Sequence, residues 1–157
     1  MEEDIDFYME EAFKEAQKAL LKKEVPIGAV IVRKHKIIAR GHNLTNETNN
    51  PLSHAEINAL RCLNNDFENL TFYITCEPCI MCMDILYKTQ SKFYYGCNNY
   101  IFGGNTVLGM NLFRSLNGYL YEMSKCISIL KEFYNFENEN SPEEKRKRKF
   151  KKVLQIN

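Results

Sequence analysis

The chain has 157 residues, of which 45% are hydrophobic and 26% charged, and its formal net charge is +1. This length suits one domain with its own core, and no apolar run reaches the roughly 18 residues of a membrane span. Because the start Met1-Glu2-Glu3-Asp4 is acidic where a signal peptide would be basic, we expect an intracellular protein, in the cytoplasm, the nucleus or both, with reduced cysteines.

The hydrophobic pattern predicts helices that alternate with strands. A first amphipathic helix is predicted over residues 4–23 and is ended by Pro26. Strands are predicted over 27–32, 37–41, 71–76 and 92–96, and further helices over about 53–63, 78–88 and 121–136. Residues 106–118 show no clear strand. This alternation indicates an α/β domain with helices on both faces of a sheet.

Three potential metal ligands, His54, Cys79 and Cys82, lie near predicted helix starts. Cys79 and Cys82 are three residues apart, so both sulfurs can face one point on a helix. The partial positive charge of a helix N-terminus favours the thiolate form that binds metals. Because one histidine and two cysteines leave the fourth tetrahedral position open for water, the set is typical of catalytic Zn²⁺ rather than structural Zn²⁺.

Glu56 follows His54 by two residues and is the predicted proton carrier. Zinc brings a bound water towards a pKa of about 7. A nearby carboxylate can take the proton of that water and return it to a ring nitrogen and a leaving amine of the substrate.

Simpler interpretations exist for each part of this pattern. Cys79-x-x-Cys82 also suits a redox pair, or half of a structural site closed by Cys62, Cys97 or His42. Ser53-x-x-Glu56 also suits a helix capping box. The combination of His-x-Glu with a later Pro-Cys-x-x-Cys is, however, the signature of zinc deaminases. The remaining cysteines, Cys62, Cys76 and Cys126, are predicted to be small core residues.

The chain resembles the tRNA-specific adenosine deaminases of the cytidine deaminase superfamily over about residues 5–152. The resemblance lies in several short segments: Val25-Pro26-Ile27-Gly28-Ala29, Gly41-His42-Asn43, His54-Ala55-Glu56, Glu77-Pro78-Cys79-Ile80-Met81-Cys82, Tyr95-Gly96-Cys97-Asn98-Asn99 and Phe102-Gly103-Gly104. Residues 129–134 and the basic C-terminus are closer still to the eukaryotic catalytic subunit, which pairs with a catalytically inactive sister subunit and converts the wobble adenosine of tRNA to inosine.

This resemblance implies a three-layer α/β/α sandwich on a five-stranded mixed sheet. It also implies that Asn43 hydrogen-bonds the target nucleoside, that Ile27 packs on its base, and that Asn99 contacts a neighbouring nucleotide or ribose. Backbone amides near Ala55 and Cys79 would stabilise the tetrahedral intermediate. A heterodimer with the inactive sister is implied, and a homodimer is possible for the isolated chain.

The C-terminal segment is strongly basic. Residues 1–140 are predicted to form the zinc deaminase domain and 141–157 a basic tail, which has seven cations against two glutamates. Such a run suits contact with the phosphates of tRNA, although a nuclear localisation signal or a solvated helix face has the same composition. The predicted RNA-binding residues are Lys145, Arg146, Lys147, Arg148, Lys149, Lys151 and Lys152.

Two other functions remain open at this point. The same zinc site serves cytidine, deoxycytidylate or guanine deaminases that act on free nucleosides, nucleotides or bases, which have no need of a basic tail. A non-enzymatic, zinc-stabilised subunit is the second alternative, and the presence of Glu56 argues against it.

Overall fold

The computed structural model describes residues 4–112 and 114–135 of the chain. One mixed sheet contains five strands: β1 (Gly28–Arg33), β2 (Lys36–His42), β3 (Thr71–Ile74), β4 (Lys92–Tyr95) and β5 (Asn117–Leu120). Their order is β2-β1-β3-β4-β5. Strand β1 is antiparallel to β2 and β3, whereas β3, β4 and β5 run parallel to one another.

The described helices are α1 (Ile5–Leu21), α2 (Ala55–Leu60), α3 (Ile80–Lys88) and α4 (Ser124–Asn135), with a short 3-10 helix at Met110–Leu112. Helices α1 and α4 cover one face of the sheet, where Tyr8 and Met9 pack on Val30 and Tyr73. Helices α2 and α3 cover the other face. The expected three-layer α/β/α sandwich on a five-stranded mixed sheet is confirmed.

The β1–β2 hairpin has a tight turn at Lys34 and His35. Both residues have positive φ, 48° and 60°, and Arg33 pairs directly with Lys36. A two-residue turn with both central residues in the left-handed region matches the twist of the flanking strands. The hairpin therefore forms without the Asn-Gly or Asp-Gly pair that usually marks such a turn.

Strand β5 is the element that the sequence pattern did not predict. Its residues Asn117–Leu120 are mostly exposed, as expected for a short strand at the edge of a sheet, so the segment lacks an alternating apolar pattern. Gly118 pairs with Phe93. A Cβ at Gly118 would lie 2.2 Å from the Phe93 ring, so the absence of a side chain lets this strand lie close to β4.

Two helix starts differ from the predicted positions. Helix α3 begins at Ile80 rather than at Pro78, because Cys79 is extended (φ −67°, ψ 169°) and acts as the N-cap. Helix α2 is shorter than predicted. After Leu60 the chain continues in turns, in which Cys62 N donates to Ala59 O.

Over residues 4–112 and 114–135, no helix is both long and apolar enough to cross a bilayer. The predicted basic tail, with Lys145, Arg146, Lys147, Arg148, Lys149, Lys151 and Lys152, lies outside the described residues, as does the predicted boundary at residues 140 and 141.

Candidate active site

Two helix starts meet at one side of the sheet. His54 is the N-cap of α2 and Cys79 is the N-cap of α3, and both have extended backbones. Neither side chain makes a capping hydrogen bond to the described residues of its helix, so both can point beyond the helix ends. Gly41 lets α2 lie close to β2, since a Cβ there would be 2.2 Å from the Ala55 carbonyl oxygen.

The three predicted ligands converge. Nδ1 of His54 lies 3.5 Å from Sγ of Cys79 and 3.6 Å from Sγ of Cys82. A tetrahedral zinc with Zn–N of about 2.0–2.1 Å and Zn–S of about 2.3 Å places nitrogen and sulfur about 3.6 Å apart. The donor set therefore fits Zn²⁺, and Nδ1 is the histidine atom placed to bind it. Across 4–112 and 114–135, this is the one group of three or more His, Cys, Asp or Glu side chains that converges in this way.

The two cysteine thiols are hydrogen-bonded to each other. A hydrogen bond from Cys82 lowers the pKa of the Cys79 thiol to about 4. The same hydrogen bond, together with burial, raises the pKa of Cys82. Because metal ions bind the thiolate form, a divalent cation held by these residues would keep both sulfurs as thiolates.

Glu56 lies beside the ligands in the first turn of α2. It is only 5% exposed, and burial raises the pKa of its carboxyl to about 6. Its side chain also interacts with the Cys82 thiol. The capping-box interpretation is wrong, because the N-cap is His54 rather than Ser53. The Ser53 hydroxyl instead accepts a hydrogen bond from Thr48 at 2.9 Å. Glu56 is thus a buried acid at the metal site.

The residues considered as a fourth ligand lie elsewhere. Cys97 packs with Cys76 and Cys126 in a separate buried cluster. His42 directs Nδ1 towards Glu15 of α1, at 3.1 Å. Cys62 is exposed, so its prediction as a core residue is wrong, whereas the burial of Cys76 and Cys126 is confirmed.

Comparison with known proteins identifies the family. The model of the cytidine and deoxycytidylate deaminase zinc-binding region matches residues 2–97, more than half of the chain. This chain belongs to that deaminase family. The matched region contains His54, Cys79 and Cys82, so the family's metal agrees with the donor set, and the cofactor is Zn²⁺.

Individual relatives are similar over long stretches. The tRNA-specific adenosine deaminase 2 of Xenopus tropicalis is 37% identical over 171 aligned residues, covering 95% of this chain and 99% of the relative. A tRNA-specific adenosine deaminase of Streptococcus pyogenes is 41% identical, covering 65% of this chain and 68% of the relative. A solved structure from studies of A-to-I editing by tRNA:A34 deaminases is 31% identical, with a TM-score of 0.67, covering 73% of this chain and 97% of that chain.

In this deaminase, Asn43 lies on the loop after β2 and is 5% exposed. Its backbone N–H donates to Ile27 O at 3.1 Å, so the structure brings together two residues predicted to contact substrate. Its side-chain amide donates to Glu24, a buried carboxylate in the turn after α1. Glu24 was not predicted as a site residue, because a glutamate after a surface helix is ordinarily a solvated charge.

A second buried carboxylate, Glu77, organises the loop after β4 of the deaminase. It accepts hydrogen bonds from the backbone N–H groups of Asn99, Asn105 and Thr106, at 2.8 to 3.0 Å. The Asn99 side-chain oxygen accepts from Ile101 N and Phe102 N, which leaves its Nδ2 as the group available for a nucleotide. Glu77 lies in one of the segments that carry the family resemblance, but the sequence pattern predicted no role for it.

The other predicted substrate residues have different environments. Ala55 is buried in the first turn of α2. Ile27 is partly buried and packs against both the α2–α3 core and the cysteine cluster. The roles of Ile27, Ala55, Asn43 and Asn99 in substrate binding remain predictions.

Proposed function

We propose that the chain hydrolyses adenosine to inosine in tRNA, at the wobble position. The observation that carries this proposal is the 37% identity to a tRNA-specific adenosine deaminase that extends over 95% of this chain and 99% of the relative. The open His54–Cys79–Cys82 donor set with buried Glu56 supports the same chemistry.

The chemistry exchanges an amine for an oxygen: adenosine and water give inosine and ammonia. Zinc supplies a Lewis acid and a nucleophilic water at neutral pH. The Glu56 carboxylate takes the proton of the attacking water and passes it to the purine ring nitrogen, and a second proton goes to the leaving amine. Its burial holds the carboxyl pKa near 6, close to the pH at which it must both accept and donate protons.

Other residues orient the substrate in this proposal. The first N–H groups of a helix have no partner within the helix, so those near Ala55 and Cys79 can stabilise charge that develops on the substrate. Ile27 packs on the base, Asn43 hydrogen-bonds the nucleoside, and Asn99 contacts the neighbouring nucleotide or ribose. Ala55 and Cys79 lie at helix starts, whereas Ile27, Asn43 and Asn99 lie in connections between helices and strands.

We further propose that this subunit works beside a catalytically inactive sister subunit and forms homodimers when isolated. The loop held by Glu77 exposes three consecutive large apolar side chains, Tyr100, Ile101 and Phe102, the last of them 68% exposed. Adjacent exposed apolar side chains of this kind are typical of protein interfaces. Gly103, the next residue, pairs with Cys79, so the interface would lie beside the active site.

The basic residues after 144 are proposed to bind the phosphates of tRNA inside the cell. Deaminases of this kind bind one unstacked base from a single-stranded loop. Because one base offers little contact area, binding of a whole tRNA needs affinity from other contacts. Deaminases of free nucleotides would not need such a cationic segment, and a non-enzymatic subunit would not need a buried Glu56.

One assay distinguishes these functions. The purified full-length chain, alone and with candidate partner subunits, should convert adenosine to inosine in tRNA and leave deoxycytidylate and guanine unchanged. Turnover of a free nucleotide or base without turnover of tRNA would establish the alternative enzyme. A zinc-loaded protein inactive on all substrates with every partner would indicate the non-enzymatic subunit.

A further inference from the structure

The side-chain amide of Asn43 has a defined orientation. Nδ2 donates to Glu24 Oε2 and to Thr45 Oγ1, at 3.1 Å in each case, so both amide hydrogens have acceptors. A carboxylate accepts hydrogen bonds, and therefore Glu24 selects the nitrogen end of the amide. The carbonyl oxygen Oδ1 is consequently turned away from Glu24.

Glu24 is well suited to hold this orientation. It is 1% exposed, and its other partners are also donors: Asn46 Nδ2 at 2.9 Å and Glu47 N at 2.6 Å. Its own backbone N–H is bound to Ala19 O of α1. Helix α1 lies on the opposite face of the sheet from α2 and α3 and contributes none of the candidate metal ligands. Glu24 is therefore held by a helix that is separate from the metal site.

We propose that Glu24 is a positioning residue that makes Asn43 present a hydrogen-bond acceptor to the nucleoside. The inference rests on the proposed function, in which Asn43 contacts the target nucleoside. The recognised group is then a donor, either a ribose hydroxyl or an N–H of the base. Purine ring nitrogens that carry lone pairs, such as N7, are not partners of Asn43, because they are also acceptors.

A purely structural role for Glu24 can be distinguished from the proposed positioning role by exchanging the acceptor at residue 24 with the donor at residue 43. In Asn43→Asp two carboxylates would face each other at the present 3.1 Å contact. In the double variant Glu24→Gln/Asn43→Asp, the new amide can donate to the new carboxylate, and the formal charge of the pair is unchanged. The second oxygen of the carboxylate still offers an acceptor, and the exposed Asn46 can turn its amide to accept from residue 24.

The test compares kcat and KM for tRNA deamination in the full-length protein, with zinc content and unfolding temperature measured in parallel. We expect Glu24→Gln and Asn43→Asp each to lower kcat/KM roughly tenfold to a hundredfold, mainly through KM because Asn43 is assigned to nucleoside binding and not to proton transfer. The double variant should recover to within about tenfold of wild type. Glu47→Gln is the matched control: the Glu47 carboxylate is exposed and pairs with Lys22, and its loss should change neither constant.

The results distinguish a failure of this inference from a failure of the proposed function. Recovery of the unfolding temperature without recovery of kcat/KM in the double variant would overturn the inference, since Asn43 would then be needed as a donor. Glu24→Gln kinetics equal to wild type would also overturn it. A wild-type protein that left tRNA unchanged would instead refute the proposed function, and the same variants would then be compared on deoxycytidylate.

Discussion

Nδ1 of His54 and Sγ of Cys79 lie 3.5 Å apart although 25 residues separate them in the chain. Two independent helix starts supply these atoms, one after β2 and one after β3. The metal site therefore depends on correct packing of both helices against the sheet, in addition to the identity of the ligands.

The first prediction concerns metal content. Wild-type protein should contain a single zinc ion per chain, and Cys79→Ser or Cys82→Ser should lose it, because the hydroxyl is a much poorer zinc ligand than a thiolate. Elemental analysis of purified protein measures this. Cys76→Ser is the matched control, since Cys76 is buried in the separate cysteine cluster, and it should keep zinc. Zinc retained in Cys82→Ser would contradict the ligand assignment.

Removing the proton carrier should separate binding from catalysis. Glu56→Ala is expected to keep its zinc and its fold while losing at least about 10² to 10⁴ in turnover, since one carboxyl serves more than one proton transfer. Single-turnover deamination of tRNA, measured beside zinc content, tests this. Glu68→Ala, at an exposed carboxylate in the loop before β3, should behave as wild type. Turnover near the wild-type level in Glu56→Ala would rule out the assigned role.

Association between subunits should depend on the apolar side chains of the loop after β4. We expect the isolated chain to sediment as a dimer and Phe102→Asp to sediment as a monomer with unchanged zinc content, because a carboxylate cannot be buried unpaired in an interface. Leu21→Asp provides the control, at an apolar residue that is 86% exposed at the end of α1, and should remain dimeric. A monomeric wild-type chain with full activity on tRNA would contradict the proposed partnership.

The basic segment should determine how tRNA affinity responds to salt. Deleting residues 143–157 is expected to weaken tRNA binding and to reduce the slope of log affinity against log salt by about 0.7–0.9 for each phosphate that the segment neutralises in the full-length protein. Zinc content should not change. Deleting only residues 153–157, which carry no charged side chain, is the control and should leave the slope intact. Normal binding and deamination by the longer truncation would assign the segment to localisation or solvation.

The candidate site was predictable where its chemistry is local in sequence. His54, Glu56, Cys79 and Cys82 lie in two short segments, and their spacing alone predicts an open zinc site with a proton carrier. Glu24 was not predictable from its neighbours, because its partners Asn43, Asn46 and Glu47 are 19 to 23 residues away. A buried carboxylate of this kind resembles a surface glutamate until the fold brings its donors to it.

The differences between the predicted and the observed fold also come from contacts between segments that are far apart in the chain. The core strands β1, β3 and β4 consist mainly of apolar or aromatic residues and were predicted with small errors at their ends. Strand β5 is a polar edge strand whose position depends on the contact of Gly118 with Phe93, which no local pattern reveals. Ser53 is of a residue type that favours the N-cap position and His54 is not, yet the extended backbone at His54 makes His54 the N-cap.

The loop after β4 joins the turn that contains Cys79 to the apolar surface that we propose contacts a second subunit. Gly103 is attached to Cys79 by a β-bridge, and a Cβ at Gly103 would lie 2.6 Å from Glu77 Oε2, so the loop has little room to shift independently of the turn that supplies a metal ligand. A subunit that pressed on Tyr100 to Phe102 would therefore bear on Cys79, one of the residues that would hold the zinc. The rate at which zinc exchanges with a chelator should consequently fall when a subunit docks, which makes metal exchange a reporter of assembly in the absence of any RNA.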